Sequence, residues 1–133
     1  MADALTEFVR ARAADRCEYC RFPAEFSFHR FQLDHIVARK HKGPTIEQNL
    51  AWSCTYCNGH KGSNIAGIDP DSRRMVRLFH PRRDRWADHF EWRGPVLCGR
   101  TPIARTTVAV LNINDPAFVD VRQALIENGE FSV

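Results

Sequence analysis

At 133 residues, with 44% apolar content, nine Phe and three Trp, the chain has the length and the hydrophobic matter for one packed domain (residues 1–133) and not for a disordered tail. No apolar run approaches the ~20 residues that span a bilayer. The opening Met-Ala-Asp-Ala-Leu-Thr-Glu-Phe is acidic where a secretory leader is basic, so a cytoplasmic protein with no membrane partner is expected. The formal charge of +3 says little, but its distribution says more: six arginines and one acid lie between Arg73 and Arg85, whereas residues 94–133 hold three arginines and four acids. With the basic run Arg39-Lys40-His41-Lys42, this pattern suits docking to an anionic polymer beside the middle of the chain.

In chain order, Leu5, Phe8, Val9 and Arg12 recur at helical spacing, so residues 3–14 are expected to form a helix with Asp3 as N-cap. Cys17-x-x-Cys20 follows, and Cys54-x-x-Cys57 stands 33 residues beyond it. In a reducing compartment such pairs are metal ligands before they are disulfides. Two intervening residues let both thiolates of a pair face one ion, and four sulfurs complete a tetrahedron, the arrangement of structural Zn²⁺. Such an ion contributes on the order of 10 kcal/mol to folding, comparable with the net stability of a domain. The fifth cysteine, Cys98, is expected to be a small buried hydrophobe.

Residues 26–37 alternate imperfectly and are expected to form a strand that delivers Asp34 and His35; Gly43-Pro44 punctuates the loop, and residues 49–53 form the return strand. Residues 54–61 then form a short helix stopped near Gly62. Beyond this core, residues 69–71 form a turn and residues 75–79 a strand. Residues 86–92 and 96–98 make a hairpin, and two closing helices cover 101–111 and 115–128, the second capped by Asp115 with Pro116 at its first position. The class is α+β.

His35 is the natural general base, because an imidazole of pKa about 6.5 is largely neutral near pH 7. A carboxamide donates and accepts at once, so Asn49 is expected to brace the loop behind it. Lys61, three residues after Asn58 on the helix, could hold a phosphate as a point charge. Successive residues of a regular strand point to opposite faces, so Asp34 and His35 can serve one site only if the strand end is irregular.

The run Asp34-His35-Ile36-Val37, then Asn49-Leu50, then Cys54-x-x-Cys57-Asn58-x-x-Lys61-Gly62 resembles the HNH endonuclease family, specifically its four-cysteine zinc branch with a ββα-metal core. His35, Asn49 and Asn58 stand for the three letters of the motif, with Asn in place of the last His. Residues 15–65 would be that core and 66–133 a C-terminal extension. The resemblance implies DNA phosphodiester hydrolysis with His35 as base and one catalytic Mg²⁺ or Mn²⁺ held by Asp34 and Asn58. It agrees with Zn²⁺ on Cys17, Cys20, Cys54 and Cys57, while the distribution of positive charge makes Lys40, Lys42, His60, Lys61, Arg82, Arg83 and Arg85 the expected nucleic-acid contacts. A zinc-knuckle nucleic-acid-binding module without turnover, and RNA in place of DNA, are the alternatives.

Overall fold

The computed structural model of the chain describes residues 3–132. Among them are five α-helices and three two-stranded antiparallel sheets, the α+β class expected. The chain divides into two compact units: residues up to Ile65 together with His80–Arg83, and Ala66–Phe79 together with the chain from Asp84 onward.

The first unit begins with α1 (Ala4–Arg12), where Asp3 accepts a 2.8 Å hydrogen bond from the Thr6 amide and so satisfies one of the free N–H groups of the first turn. Its buried Val9 faces the core, and the Arg12 guanidinium donates to the carbonyls of Glu47 and Leu50 at 3.0 and 2.7 Å. Strands β1 (Gln32–His35) and β2 (Leu50–Ser53) pair in the register His35 with Leu50, Asp34 with Ala51 and Leu33 with Trp52. β1 is shorter than the alternation predicts. Residues Ala24–Phe26 form a 3-10 turn, and the Ser27 hydroxyl bonds both the amide and the carbonyl of His29, which folds the chain back before pairing can begin.

The β1–β2 connection is fixed by its own groups. The Ile36 amide donates to the Asn49 carbonyl, and Gly43 lies so close to Val37 that a Cβ there would stand 1.7 Å from the Val37 carbonyl oxygen. Helix α2 (Thr55–Lys61) follows β2 directly and ends at Gly62, the expected stop, whose φ of 52° favours glycine.

In the second unit, β3 (Ala66–Ile68) pairs with β4 (Met75–Arg77). Their turn closes on the buried Asp69, which accepts from the Asp71 amide, the Ser72 hydroxyl and both arms of Arg105. These donors, Arg105 foremost, hold the Asp69 carboxyl well below the usual carboxylate range. Residues 86–92 are not a strand throughout: Trp86–His89 is a helical turn, α3, leading into the hairpin of β5 (Phe90–Arg93) and β6 (Val96–Gly99). Helices α4 (Pro102–Val110) and α5 (Pro116–Glu127) start at Thr101 and Asp115, each of which caps through its side chain. Gly99 lets α4 approach, since a Cβ there would meet the Arg105 amide nitrogen at 2.5 Å. Phe79, Trp86, Phe90, Trp92 and Phe131 stack edge to face and ring to ring into one aromatic core. Among the described residues, none of the helices is long and apolar enough to cross a membrane.

Candidate active site and zinc centre

The two Cys-x-x-Cys turns meet. The sulfurs of Cys17, Cys20, Cys54 and Cys57 all lie within 4.8 Å of one another, and all four residues are buried. Cys20 Sγ and Cys54 Sγ are 3.9 Å apart. That is far beyond the roughly 2 Å of a disulfide. It is close to the roughly 3.8 Å edge of a tetrahedron with Zn–S bonds of about 2.3 Å. Each turn is closed by an amide donating to sulfur, Cys20 N to Cys17 Sγ at 3.5 Å and Cys57 N to Cys54 Sγ at 3.3 Å; the second bond also caps α2.

Burial opposes ionisation of Cys17, but hydrogen bonds from the other three thiols outweigh it and bring Cys17 well below its ordinary value. Bonding to Cys17, reinforced by burial, pushes Cys20 and Cys57 up. Four thiolates can share this volume only around a cation, and the soft donor set fits zinc.

On the other side of β1, His35 opens into a cleft of about 300 Å³ lined by Leu33, His35, Ala38, Arg39, Asn58, Gly62 and Ser63. His35 Nε2 lies 2.9 Å from the Thr45 hydroxyl and accepts a long 3.4 Å hydrogen bond from Arg39 Nε. Arg39 has no acceptor, so this contact is the one made by the tautomer with its proton on Nδ1. Partial burial, and then the Arg39 charge, lower the His35 pKa below its ordinary 6.5. Asn58, half-buried, donates through Nδ2 to Gln32 Oε1 and presents its amide group to the cleft.

Asn49 is buried. Its Oδ1 accepts from the Val37 amide at 2.9 Å, and its Nδ2 donates to the carbonyls of Val37 and Pro44 at 2.9 and 2.8 Å, so one side chain ties both ends of the loop that follows His35. Lys40, Lys42 and His60 are exposed, His60 with its ring against Tyr56. Arg83 and Arg85 are exposed as well, Arg83 in the first unit and Arg85 in the second.

Three expectations are corrected. Asp34 does not join His35 and Asn58: β1 keeps regular pairing to its end, so Asp34 points to the opposite face, 3% exposed, where Tyr19 and Lys61 hold it. The lining of the cleft therefore contains no carboxylate. An amide oxygen from Asn58 and a hydroxyl from Ser63 do not fit a Mg²⁺ or Mn²⁺ ion, which takes carboxylate-rich oxygen sets. Lys61 is no phosphate ligand, since it is 1% exposed with its ammonium turned inward. Arg82, half-buried, pairs with Glu18 of the first knuckle, whose other oxygen accepts from the Trp52 amide. Burial and the neighbouring Arg12 lower Arg82 to about 10, still charged at neutral pH but turned away from solvent.

The residues that sequence reasoning missed are Arg39 and Thr45 at Nε2, and Tyr19 behind Asp34. Arg39 could have been singled out by its position four residues after His35; Thr45 and Tyr19 carry no comparable signal.

A hairpin and a helix joined at a four-cysteine cluster present a histidine in an open cleft. Residues 17–64 match the HNH endonuclease family model, and the four-cysteine cluster fits the zinc-binding branch of that family. No curated protein and no solved structure gives a significant match.

Two measurements check this site. Purified protein should hold about one zinc per chain, and Cys54→Ser, or a strong chelator, should unfold it; zinc-free protein that stays folded would overturn the centre. An NMR titration should place His35 below 6.5, the neutral form persisting to lower pH, and Arg39→Met should raise the midpoint by removing a repelling charge. A midpoint that falls in Arg39→Met would contradict the geometry.

Proposed function

We propose that the protein is a nuclease that hydrolyses phosphodiester bonds in DNA, with His35 Nε2 as the general base. The observation that carries this reading is an imidazole facing an open cleft, with a guanidinium beside its Nε2 and its pKa lowered by partial burial. Exposed Lys40 and Lys42 dock the phosphate backbone, and the scissile phosphate draws Arg39 away from Nε2 by a charge-assisted pairing stronger than the long bond it replaces. Once the Thr45 hydroxyl turns aside as well, a water molecule occupies the lone-pair direction of Nε2. It attacks phosphorus while His35 takes its proton, and the bond from phosphorus to the 3′ oxygen breaks.

The Arg39 guanidinium stabilises the charge that builds on the phosphoryl oxygens, and the Asn58 amide orients one of them. Solvent protonates the leaving oxygen, giving 5′-phosphate and 3′-hydroxyl ends. The Mg²⁺ or Mn²⁺ implied by the resemblance finds no fitting donor set here, so these steps are carried by protein groups.

Cleavage of supercoiled plasmid with and without added Mg²⁺ or Mn²⁺ tests the reading. His35→Ala should lose about 100-fold or more in rate while keeping zinc and DNA binding. Wild-type rates in that variant would leave a zinc-knuckle binding module as the remaining reading, and preferential cutting of RNA of the same sequence would change the substrate.

The cationic side chains are tested separately. Lys40→Ala, Lys42→Ala and Arg83→Ala should each flatten the log–log salt dependence of DNA binding by about 0.9 for every phosphate left without its cation. Arg82→Ala should leave that slope unchanged and lower stability instead, because it strands the Glu18 carboxylate.

A further inference from the structure

Behind β1, on the face that does not open to the cleft, three polar side chains from three elements meet away from water. Tyr19, between the cysteines of the first knuckle and 0% exposed, donates its hydroxyl to Asp34 Oδ2 at 2.5 Å. Lys61, in the last turn of α2 and 1% exposed, donates to Asp34 Oδ1 at 3.2 Å, to the His35 carbonyl at 3.1 Å and to the Ile36 carbonyl at 3.0 Å. An ammonium has three donors, and these three oxygens satisfy them. Two of the oxygens belong to the backbone of His35 and of the residue after it. The Ile36 amide, between them, donates to the Asn49 carbonyl. Both peptide planes that set the exit of the chain from β1 are therefore fixed from behind.

From this arrangement we propose that Tyr19, Asp34 and Lys61 are positioning residues: a buried tie that suspends the His35 backbone between the first zinc turn and α2 and so aims Nε2 into the cleft. The proposal rests on the reading of His35 as the general base. It gives Asp34 a role distinct from metal ligation, through backbone geometry instead of an ion. A buried ion pair is costly to desolvate and is a weak way to gain stability; fixing a unique geometry is the better-attested use of such groups. The same tie makes the state of the zinc turn felt at His35, because Tyr19 lies within the Cys17–Cys20 loop.

The test uses the zinc-loaded full chain and three variants. Tyr19→Phe removes one hydroxyl and nothing else; it should lower kcat about tenfold, since sub-ångström misplacement of a reacting group has effects of this order. KM for DNA and zinc content should stay at wild-type values, and the ¹⁵N shift of His35 Nε2, read without substrate, should move. Lys61→Met should act in the same direction and more strongly. Asp34→Asn should lose rate that raising Mg²⁺ or Mn²⁺ a hundredfold does not restore.

Recovery of Asp34→Asn by added metal, or Tyr19→Phe with wild-type kcat and an unmoved His35 resonance, would overturn the tie. If Lys61→Met does not fold, the Tyr19→Phe result decides alone. Failure of the nuclease reading is distinguished by His35→Ala retaining activity, whereas the His35 resonance reports on the tie in either case.

Discussion

Four sulfur atoms gathered around one point hold the first unit together. Its sheet is two strands of four residues each, and a two-stranded hairpin of that size is marginal in water. Neither α1, nine residues long, nor α2, seven, is long enough to persist on its own. The zinc turns replace a large core: one cross-link joins the residues before β1 to the start of α2, which brings the helix bearing Asn58 against the strand bearing His35. Without that cross-link, the hydrogen bonds between the two sides of the cleft, those of Lys61 among them, would have to hold strand and helix together by themselves.

Charge is divided between interior and surface in a way that composition hides. Arg82, Lys61 and Arg122 would each be taken for surface cations, yet each is at least partly buried and bonded: to Glu18, to Asp34 with two carbonyls, and to the Pro95 and Ile113 carbonyls with Asn114. Lys61 and Arg122 organise backbone, and Arg82 holds a carboxylate. The positive charge left for an anionic polymer near the cleft is the short run Arg39 to Lys42, carried by a loop whose shape Asn49 and Gly43 fix. A small net charge is thus compatible with a locally basic approach to His35, because much of the remaining charge is internally neutralised.

How much of this was legible in the sequence depended on how local the cause was. Helix ends were readable where one side chain makes the cap: Asp3, Thr101, and Asp115 with Pro116. The cysteine spacing and the placement of His35 and Asn58 were readable for the same reason, since a turn or a helix fixes each within a few residues. β1 is shorter than the alternation predicts because the Ser27 turn before it depends on side-chain bonding and not on apolar pattern. β3, Ala-Gly-Ile, has no alternation to find. The fate of Asp34 was the hardest: alternation put it opposite His35, the motif suggested the same side, and only the non-local partners Tyr19 and Lys61 show that regular pairing prevails. A lysine whose three donors meet oxygens from β1 and the residue after it looks like any other lysine until the fold is assembled.

The first unit is not contiguous in sequence. After the HNH segment ends, the chain builds β3 and β4 and then returns residues 80–83 to the first unit, where Arg82 neutralises the Glu18 carboxylate inside the first zinc turn. Glu18 in turn completes the free edge of β2 through its amide, which donates to the Trp52 carbonyl, and its side chain, which accepts from the Trp52 amide. The motif is therefore not a detachable cassette. A fragment cut just past residue 65 would keep every cysteine of the zinc centre and the whole HNH pattern, yet it would leave an acid of the knuckle without its counter-ion. Transplantation or truncation of this segment has to carry the arginine that arrives from downstream.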